Sequence, residues 1–370
     1  MQKIQFSRNN ISKNSIENIK EIFKSGWLTH GKYTELFEKE FKKITKSKYA
    51  LTVSSCTAGL HLSCIAANFK KGDEVIVPAM SHTATSHAVE YTGAKVVFAD
   101  INLYSGNISL DEIKKKITKN TKGLILVHMV GLSCDMKNIV SLCRKKNIKI
   151  IEDCAHSLGS KFKLKTVGNF GLAASYSFYP TKQITTGEGG IVTTNSKEIF
   201  KKIKTLKAFG IDKDIKNRKV PGHYDVKTLG FNYRMTDFQA AIGYDQAKNY
   251  KKNLITRKKI AKRYHANLIN NRNINIMPYD KDCSYFVYQI FVEKRNQFLR
   301  ILKKNKIGFS IHYAKSLPEM TYYKKKYKYN LKNFANSIKY AKENISLPIY
   351  PKLKLSEIDK ICYLINNFYK

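Results

Sequence analysis

Between residues 49 and 195 short apolar runs alternate with stretches of helical spacing, and this rhythm limits the possible folds more than any other feature of the chain. The runs are YALTVSS, DEVIVPA, AKVVFAD, KGLILVHMV, IKIIEDCA, AASYSFY and GGIVTTN, with helix-like stretches between them at 58–68, 85–91 and 136–147. Connections of that length suit crossover units, so the expectation is an α/β domain on a mainly parallel central sheet. Helical apolar spacing also predicts helices over 15–24 and 33–45 ahead of the sheet, and one long helix from 236 to 268 behind it. Later segments read as helix, strands in YFVYQIFVE and IGFSIHY, and closing helices at 337–344 and 356–368. The expected division is a large domain, 1–249, and a smaller C-terminal α+β domain, 250–370.

A chain of 370 residues, 43% of them hydrophobic, can bury a sizeable core. Its formal net charge of +39 would suit nucleic acid, an acidic membrane surface or anionic small molecules. The lysines, however, are scattered: Lys3, Lys13, Lys20, Lys42, Lys70, Lys114, Lys201 and Lys303 dot most helical segments, and arginine, which reads phosphates and bases best, is scarce. The charge therefore reads as solvated surface, with YYKKKYKY at 322–329 kept as a candidate for a local anion contact. No helix-turn-helix, zinc or stacking-platform signature supports nucleic-acid binding. Seven cysteines without a C-x-x-C pair or zinc spacing fit a reducing compartment and no metal site. The N-terminus lacks an apolar signal core and no run approaches the roughly 20 apolar residues of a membrane span, so a cytoplasmic protein is expected.

In open parallel sheets ligands sit at the carboxyl ends of the strands. After the first run, SSCTAGLHL opens a helix whose N–H groups, with the hydroxyls of Ser55 and Thr57, can hold a phosphate; read alone, it is equally an ordinary capped helix. After the second, MSHTAT places His82 where its ring could lie beside a planar ligand, or simply pack. The apolar run IKII ends in Glu152 and Asp153, and a carboxylate there needs a cation or hydrogen-bond donors, or else caps the next turn. His156 shares that edge. In SYSFYPTKQITTGEGG, Lys182 follows a strand and precedes a Gly-rich turn; desolvation there favours the neutral amine, which can form a Schiff base with a carbonyl compound. A phosphate cup, a ring, a carboxylate and a sheltered lysine thus follow in order along one sheet.

That ordered set resembles the fold-type I pyridoxal-phosphate enzymes, and specifically the DegT/StrS-type nucleotide-sugar aminotransferases. The resemblance runs from GWLTHGKYTELFEKEF through VSSCTAGLHL, GDEVIVPAMSHTAT, IIEDCAHSLGS, SFYPTKQITTGEGG and LGFNYRMTDFQAAIG to IHY and SLPIYP. It implies an aspartate aminotransferase-like fold with pyridoxal 5'-phosphate as cofactor. Lys182 is then the lysine that bonds to the cofactor, Asp153 the partner of its pyridinium nitrogen and His82 the ring stacked on it. Cys56, Thr57 and Ser177 would hold the phosphate, with His156 a further cofactor contact where the family often has glutamine. Asn232 would reach the phosphate in the neighbouring subunit, which implies a homodimer with shared sites. Glu188, Arg234, His312, Tyr313 and Lys315 are implied substrate contacts, Arg234 toward the nucleotide diphosphate.

The implied reaction moves an amino group from an amino acid, L-glutamate in the first place, to a nucleotide-linked keto sugar, a 4-keto-6-deoxy hexose for glycan or amino-sugar biosynthesis. Amination at C3 is the alternative that keeps the same cofactor residues. Sugar dehydratases of this fold typically carry histidine where this chain has Lys182.

Overall fold

The computed structural model describes residues 3–213, 218 and 220–369. Two helices, α1 (Lys13–Ser25) and α2 (Lys32–Thr45), precede a seven-stranded sheet. Its strands are β1 (Tyr49–Val53), β2 (Glu74–Pro78), β3 (Lys95–Ala99), β4 (Thr121–Val127), β5 (Lys149–Asp153), β8 (Ala173–Ser177) and β9 (Gly190–Thr194), with a small hairpin, β6 (Lys161–Phe162) and β7 (Lys165–Thr166), between β5 and β8. Helices α3 (Cys56–Ala66), α4 (Thr83–Glu90), α5 (Leu110–Lys116), α6 (Met136–Lys145) and α7 (Lys197–Leu206) alternate with these strands. The spatial order is β1-β9-β8-β5-β4-β2-β3, and β9 alone runs against its neighbours. The mainly parallel sheet expected from the apolar runs is the one observed.

Helices α8 (Asp237–Lys248) and α9 (Tyr250–Leu268) lead to the three-stranded antiparallel sheet β10 (Asn275–Ile276), β11 (Tyr288–Phe291) and β12 (Asn344–Leu347), with α10 (Arg295–Lys304), α11 (Thr321–Tyr327), α12 (Ala335–Glu343) and α13 (Leu355–Asn366). Two expectations differ. The long helix over 236–268 is two helices that meet at Asn249, whose side-chain amide donates to the Asp245 carbonyl at 3.1 Å and so competes with the helix ladder. IGFSIHY is not a ladder strand: it touches its neighbours only through the isolated bridges Ile4–Ile307 and Ser310–Ser346. The Ile307 N–H turns back to the Leu302 carbonyl at 2.9 Å, and the His312 N–H donates to Asn344 Oδ1 at 2.9 Å.

Three buried aspartates tie distant segments together by capping helices that start elsewhere. Asp237 accepts from the Thr34 N–H at 2.8 Å and the Tyr33 N–H at 3.3 Å, at the start of α2. A Cβ on Gly31 would stand 2.1 Å from that carboxylate, so the helix can begin there only with glycine. Asp100 likewise receives the Asn336 and Ser337 N–H groups of α12, and Asp245 receives the hydroxyls of Ser12 and Ser15 in α1. Asp237 and Asp100 satisfy backbone donors that a helix start leaves open, whereas Asp245 holds its helix through hydroxyls.

In the basic YYKKKYKY segment the tyrosines dock on the main sheet while the lysines stay exposed. Tyr322 and Tyr327 hydroxyls each donate to Glu90 at 2.5 Å, Lys326 pairs with the same carboxylate at 3.2 Å, and Tyr329 donates to the Val96 carbonyl. Tyr323 is buried among them. This fastens α11 to α4 and β3, so that Leu317, Tyr323 and Phe334 join the apolar cluster of the main sheet. All seven cysteines are buried and unpaired, and no helix among the described residues is long and apolar enough to cross a membrane.

Glu152 is fully buried and accepts from His128 Nε2 at 3.1 Å, Gly168 N–H at 2.6 Å, and the Phe170 and Gly171 N–H groups at 2.7 Å. Burial alone would raise its pKa, yet the His128 bond and the Gly171 and Gly168 N–H groups hold it below the ordinary value. A group of this kind stabilises the fold above the carboxylate range and loses its contribution as pH falls through its folded pKa. Glu152→Gln should therefore lower stability at pH 7 by about 3 kcal/mol in urea unfolding, with the gap from wild type narrowing toward pH 4. Equal midpoints at pH 7 would contradict this role.

Candidate active site

At the carboxyl edge of the sheet, β1 runs into α3 through Ser55, whose Oγ accepts the Ala58 N–H at 3.0 Å. The first N–H groups of α3, on Cys56 and Thr57, have no intrahelical acceptor, as at any helix start, and form a cup for an anion. Strand β9 closes the cup. A Cβ on Gly190 would stand 2.7 Å from the Cys56 nitrogen and 2.6 Å from the Ser55 carbonyl carbon, so only glycine brings the strand this near. Ser175 Oγ donates to the Cys56 carbonyl at 2.9 Å and fixes the cup to β8. Ser177, two residues on and hence on the same face, is half-buried and accepts only a long bond of 3.4 Å from the Tyr179 N–H.

Asp153 ends β5 on the face opposite Glu152, as strand alternation requires. Its Oδ2 accepts from Thr85 Oγ1 at 2.9 Å and its Oδ1 from the Ala155 N–H at 3.1 Å. Burial nevertheless raises its pKa, because two neutral donors and the distant charge of Lys182 do not replace lost water. Lys182 lies in the turn after β8, with its Nζ 4.3 Å from the centroid of the Phe286 ring. Burial lowers its pKa to about 8, with the Asp153 carboxylate pulling the other way. The Cys56 thiol is pushed up by burial, so it carries no charge at neutral pH and its role here is that of a small donor group 4.0 Å from Asp153. Asp153 and Lys182 act on each other through space, without a hydrogen bond.

Aromatic groups wall the cleft. His156 is buried and stacks on Phe286 at 4.3 Å and 17°; its Nδ1 accepts from the Val130 N–H at 3.4 Å, which leaves Nε2–H to meet the Tyr313 hydroxyl at 3.3 Å. His82 caps α4 by accepting the Ala84 N–H at 3.2 Å, and its exposed ring meets the Tyr313 ring edge-on at 5.8 Å. His312 and Tyr313 are gripped by amides: Gln289 Nε2 donates to the His312 carbonyl at 3.2 Å and Asn344 Nδ2 to the Tyr313 carbonyl at 3.1 Å. Burial, then the charge of Lys182, lowers the pKa of His156 and of His312, the latter to about 3, and loss of water on the cleft side of the otherwise exposed His82 moves it in the same direction.

The structure thus brings together Cys56, Thr57, His82, Asp153, His156, Ser177, Lys182, His312 and Tyr313. Asn232 and Arg234 lie elsewhere in the protomer. Arg234 donates to Asn232 Oδ1 at 2.9 Å, meets His30 Nε2 at 3.2 Å and lines a cavity of about 740 Å³ with Trp27, Lys204 and Lys207. Lys315 is exposed beside Tyr313. Glu188 is exposed too, and it is its backbone carbonyl, accepting from Thr186 Oγ1 and Gln239 Nε2, that holds the turn. Sequence reasoning missed Thr85, Ser175 and Phe286. Thr85 lay within the MSHTAT motif and Ser175 two residues before Ser177, whereas Phe286 comes from a distant segment and carried no local signal.

A ligand complementary to this edge carries an anion for the α3 cup, a cation for Asp153, a carbonyl for Lys182 and a flat face for His82. Pyridoxal phosphate has that set of groups, and the residues present fit it.

The sequence profile of the DegT/DnrJ/EryC1/StrS aminotransferase family matches residues 9–366. The chain is 33% identical to the spore coat polysaccharide biosynthesis protein SpsC of Bacillus subtilis, over 97% of this chain and 95% of that one. It is also 33% identical to the GDP-perosamine synthase of Escherichia coli O157:H7, over 95% of each. Among solved structures, the putative sugar aminotransferase Spr1654 from Streptococcus pneumoniae in its PMP form superposes with a TM-score of 0.92 at 29% identity, covering 98% of both chains. The PLP form of the same protein superposes at 0.91. The fold, the profile and the relatives agree: the chain belongs to the DegT/DnrJ/EryC1/StrS family of pyridoxal-phosphate-dependent sugar aminotransferases.

Proposed function

We propose that this aminotransferase moves the amino group of L-glutamate to a 4-keto-6-deoxy hexose carried on a nucleotide, with Lys182 as the reacting amine and Asp153 as the anchor of the cofactor ring. The observation that carries this reading is the buried, separated pair: an amine with a pKa near 8 and a carboxylate raised by burial, both short of a partner, at one sheet edge. When bound, pyridoxal phosphate supplies the aldehyde that takes up the amino group and the ring that absorbs the electron pair left when a C–H bond breaks.

The chain's own residues do the rest. The N–H groups of Cys56 and Thr57, with the hydroxyls of Thr57 and Ser177, bind the phosphate. Asp153, held by Thr85 and Ala155, keeps its charge toward the ring nitrogen; a cation at about 4 Å stabilises it by on the order of 4 kcal/mol at an effective dielectric near 20. His82 covers one face of the ring, and His156 and Tyr313 exclude water beside it. When its amine is free, Lys182 would take the proton from the amine-bearing carbon and pass it on to a second carbon, for which a pKa close to working pH is suited. His312, Tyr313 and Lys315 border the sugar side. Glu188, its side chain free of any hydrogen bond among the described residues, is open to the substrate.

Asn232 and Arg234 bond to each other and to His30 and have no hydrogen bond to Lys182 of their own chain, and Phe209, Tyr224, Val226 and Leu229 are exposed in the same stretch of chain. An apolar surface so close to polar residues expected at the site supports a two-fold homodimer in which each subunit lends Asn232 and Arg234 to the other. The relatives' names, one of them a GDP-perosamine synthase, favour a nucleotide-linked sugar as acceptor and a role in polysaccharide biosynthesis. A protein acting on such substrates works in the cytoplasm.

Incubation with glutamate and a panel of GDP-, UDP- and dTDP-linked 4-keto-6-deoxy sugars should convert one keto group to an amine, read by mass; no conversion with any of them would refute the substrate assignment. Asp153→Asn should lower kcat/KM by at least about 100-fold, since a neutral amide cannot hold the ring cation. Turnover per subunit should fall on dilution as the dimer dissociates. A sedimenting monomer with full turnover would contradict the shared site.

A further inference from the structure

Lys182 must exist in two conditions during the proposed reaction, bonded to a carbonyl carbon and free, and the free amine needs a defined place close to where it reacts. In the structure it has one. Its Nζ sits 4.3 Å from the centroid of Phe286, a distance at which an ammonium is attracted to the negative face of the ring. Phe286 is itself held firmly. Its N–H donates to the Val130 carbonyl at 3.0 Å, and its own carbonyl, with those of Tyr285 and Ile349, accepts from Nη1 of Arg257 at 3.2, 3.3 and 2.9 Å. Arg257 is a buried guanidinium whose Nη1 bonds go to backbone carbonyls, so its strength as a donor goes into fixing this stretch of chain. The stacked His156 ring, 4.3 Å from that of Phe286, keeps the phenyl group from turning.

We propose that the Phe286 ring is the seat of the free Lys182 amine, a positioning residue that keeps the ammonium in the cleft while the amine is not covalently engaged. This rests on the assignment of Lys182 as the reacting amine. The charged and titratable groups that face the amine are Asp153 from β5, Cys56 from α3, His82 from α4, and His156 and His312 with the adjoining Tyr313. Of these only Asp153 carries a charge at neutral pH that favours the ammonium, and it does so at a distance. The ring face adds the second favourable contact. Burial favours the neutral amine, and the Asp153 charge and the ring face each act against it.

The test uses the full-length protein freed of cofactor, labelled at graded pH with a trace of acetic anhydride, with the extent of reaction at each lysine read by mass spectrometry. Lys182 should titrate near 8 in the wild type. In Phe286→Leu, which keeps the site apolar but removes the ring quadrupole, its midpoint should fall by about one pH unit, and in Phe286→Tyr it should stay at the wild-type value. Phe286→Met gives the same reading if the leucine variant does not fold. An unchanged or raised midpoint in the leucine or methionine variant overturns the proposal. Adding pyridoxal phosphate to the wild type before labelling separates the two claims: protection of Lys182 retains the underlying assignment whatever the variants do, and protection of a different lysine removes it.

Discussion

Strand β5 ends in two adjacent buried carboxylates that point to opposite faces of the sheet, and the difference between them organises the molecule. Glu152 meets four donors from its surroundings, is held ionised, and fixes the loop at 168–171 beneath the sheet. Asp153 meets two neutral donors and stays short of a positive partner. A fold that could satisfy one carboxylate completely and leaves its neighbour incomplete has room there for a ligand cation. The strain of that incompleteness is tolerated because the pKa of Asp153 rises, which limits the cost of burial until a cation arrives.

Lys182 is the counterpart, in the turn that follows the neighbouring strand β8. Its side chain is half-buried where Asp153 is buried, the two do not neutralise each other by direct contact, and each is displaced toward its neutral form. A direct ion pair between them would close the cleft. Separation keeps the cleft open and gives the amine a proton affinity close to neutral pH, while β9 lies against the α3 cup through Gly190, where a side chain would collide with the Ser55–Cys56 backbone. The charge of the chain as a whole has little part in this. The most concentrated run of lysine and tyrosine, around α11, is consumed in holding a C-terminal segment against α4 through Glu90, and that segment follows directly on His312 and Tyr313.

Much of this was legible in the sequence because it depends on local rules. The apolar runs are the strands, the residues just after them are the cleft, and Asp153 and Lys182 stand where a parallel sheet presents its carboxyl edge. What was not legible depends on distant segments meeting. Phe286 lies more than a hundred residues from Lys182, Gln289 and Asn344 reach His312 and Tyr313 from two strands of another sheet, and the break at Asn249 turns on one side-chain amide. The IGFSIHY segment has strand composition, but its partners are split between the N-terminal tail, one residue of β12 and a side chain, which no periodicity encodes. Asn232 and Arg234 carried a family signal, yet within one chain they sit apart from the cleft.

The central claim is that one particular lysine, among many, reacts with the cofactor. Reducing the protein in its yellow, cofactor-bound form with borohydride and mapping the modified peptide tests this most directly. The account predicts a single stable adduct on the peptide carrying Lys182; an adduct on any other lysine, or none, would contradict it.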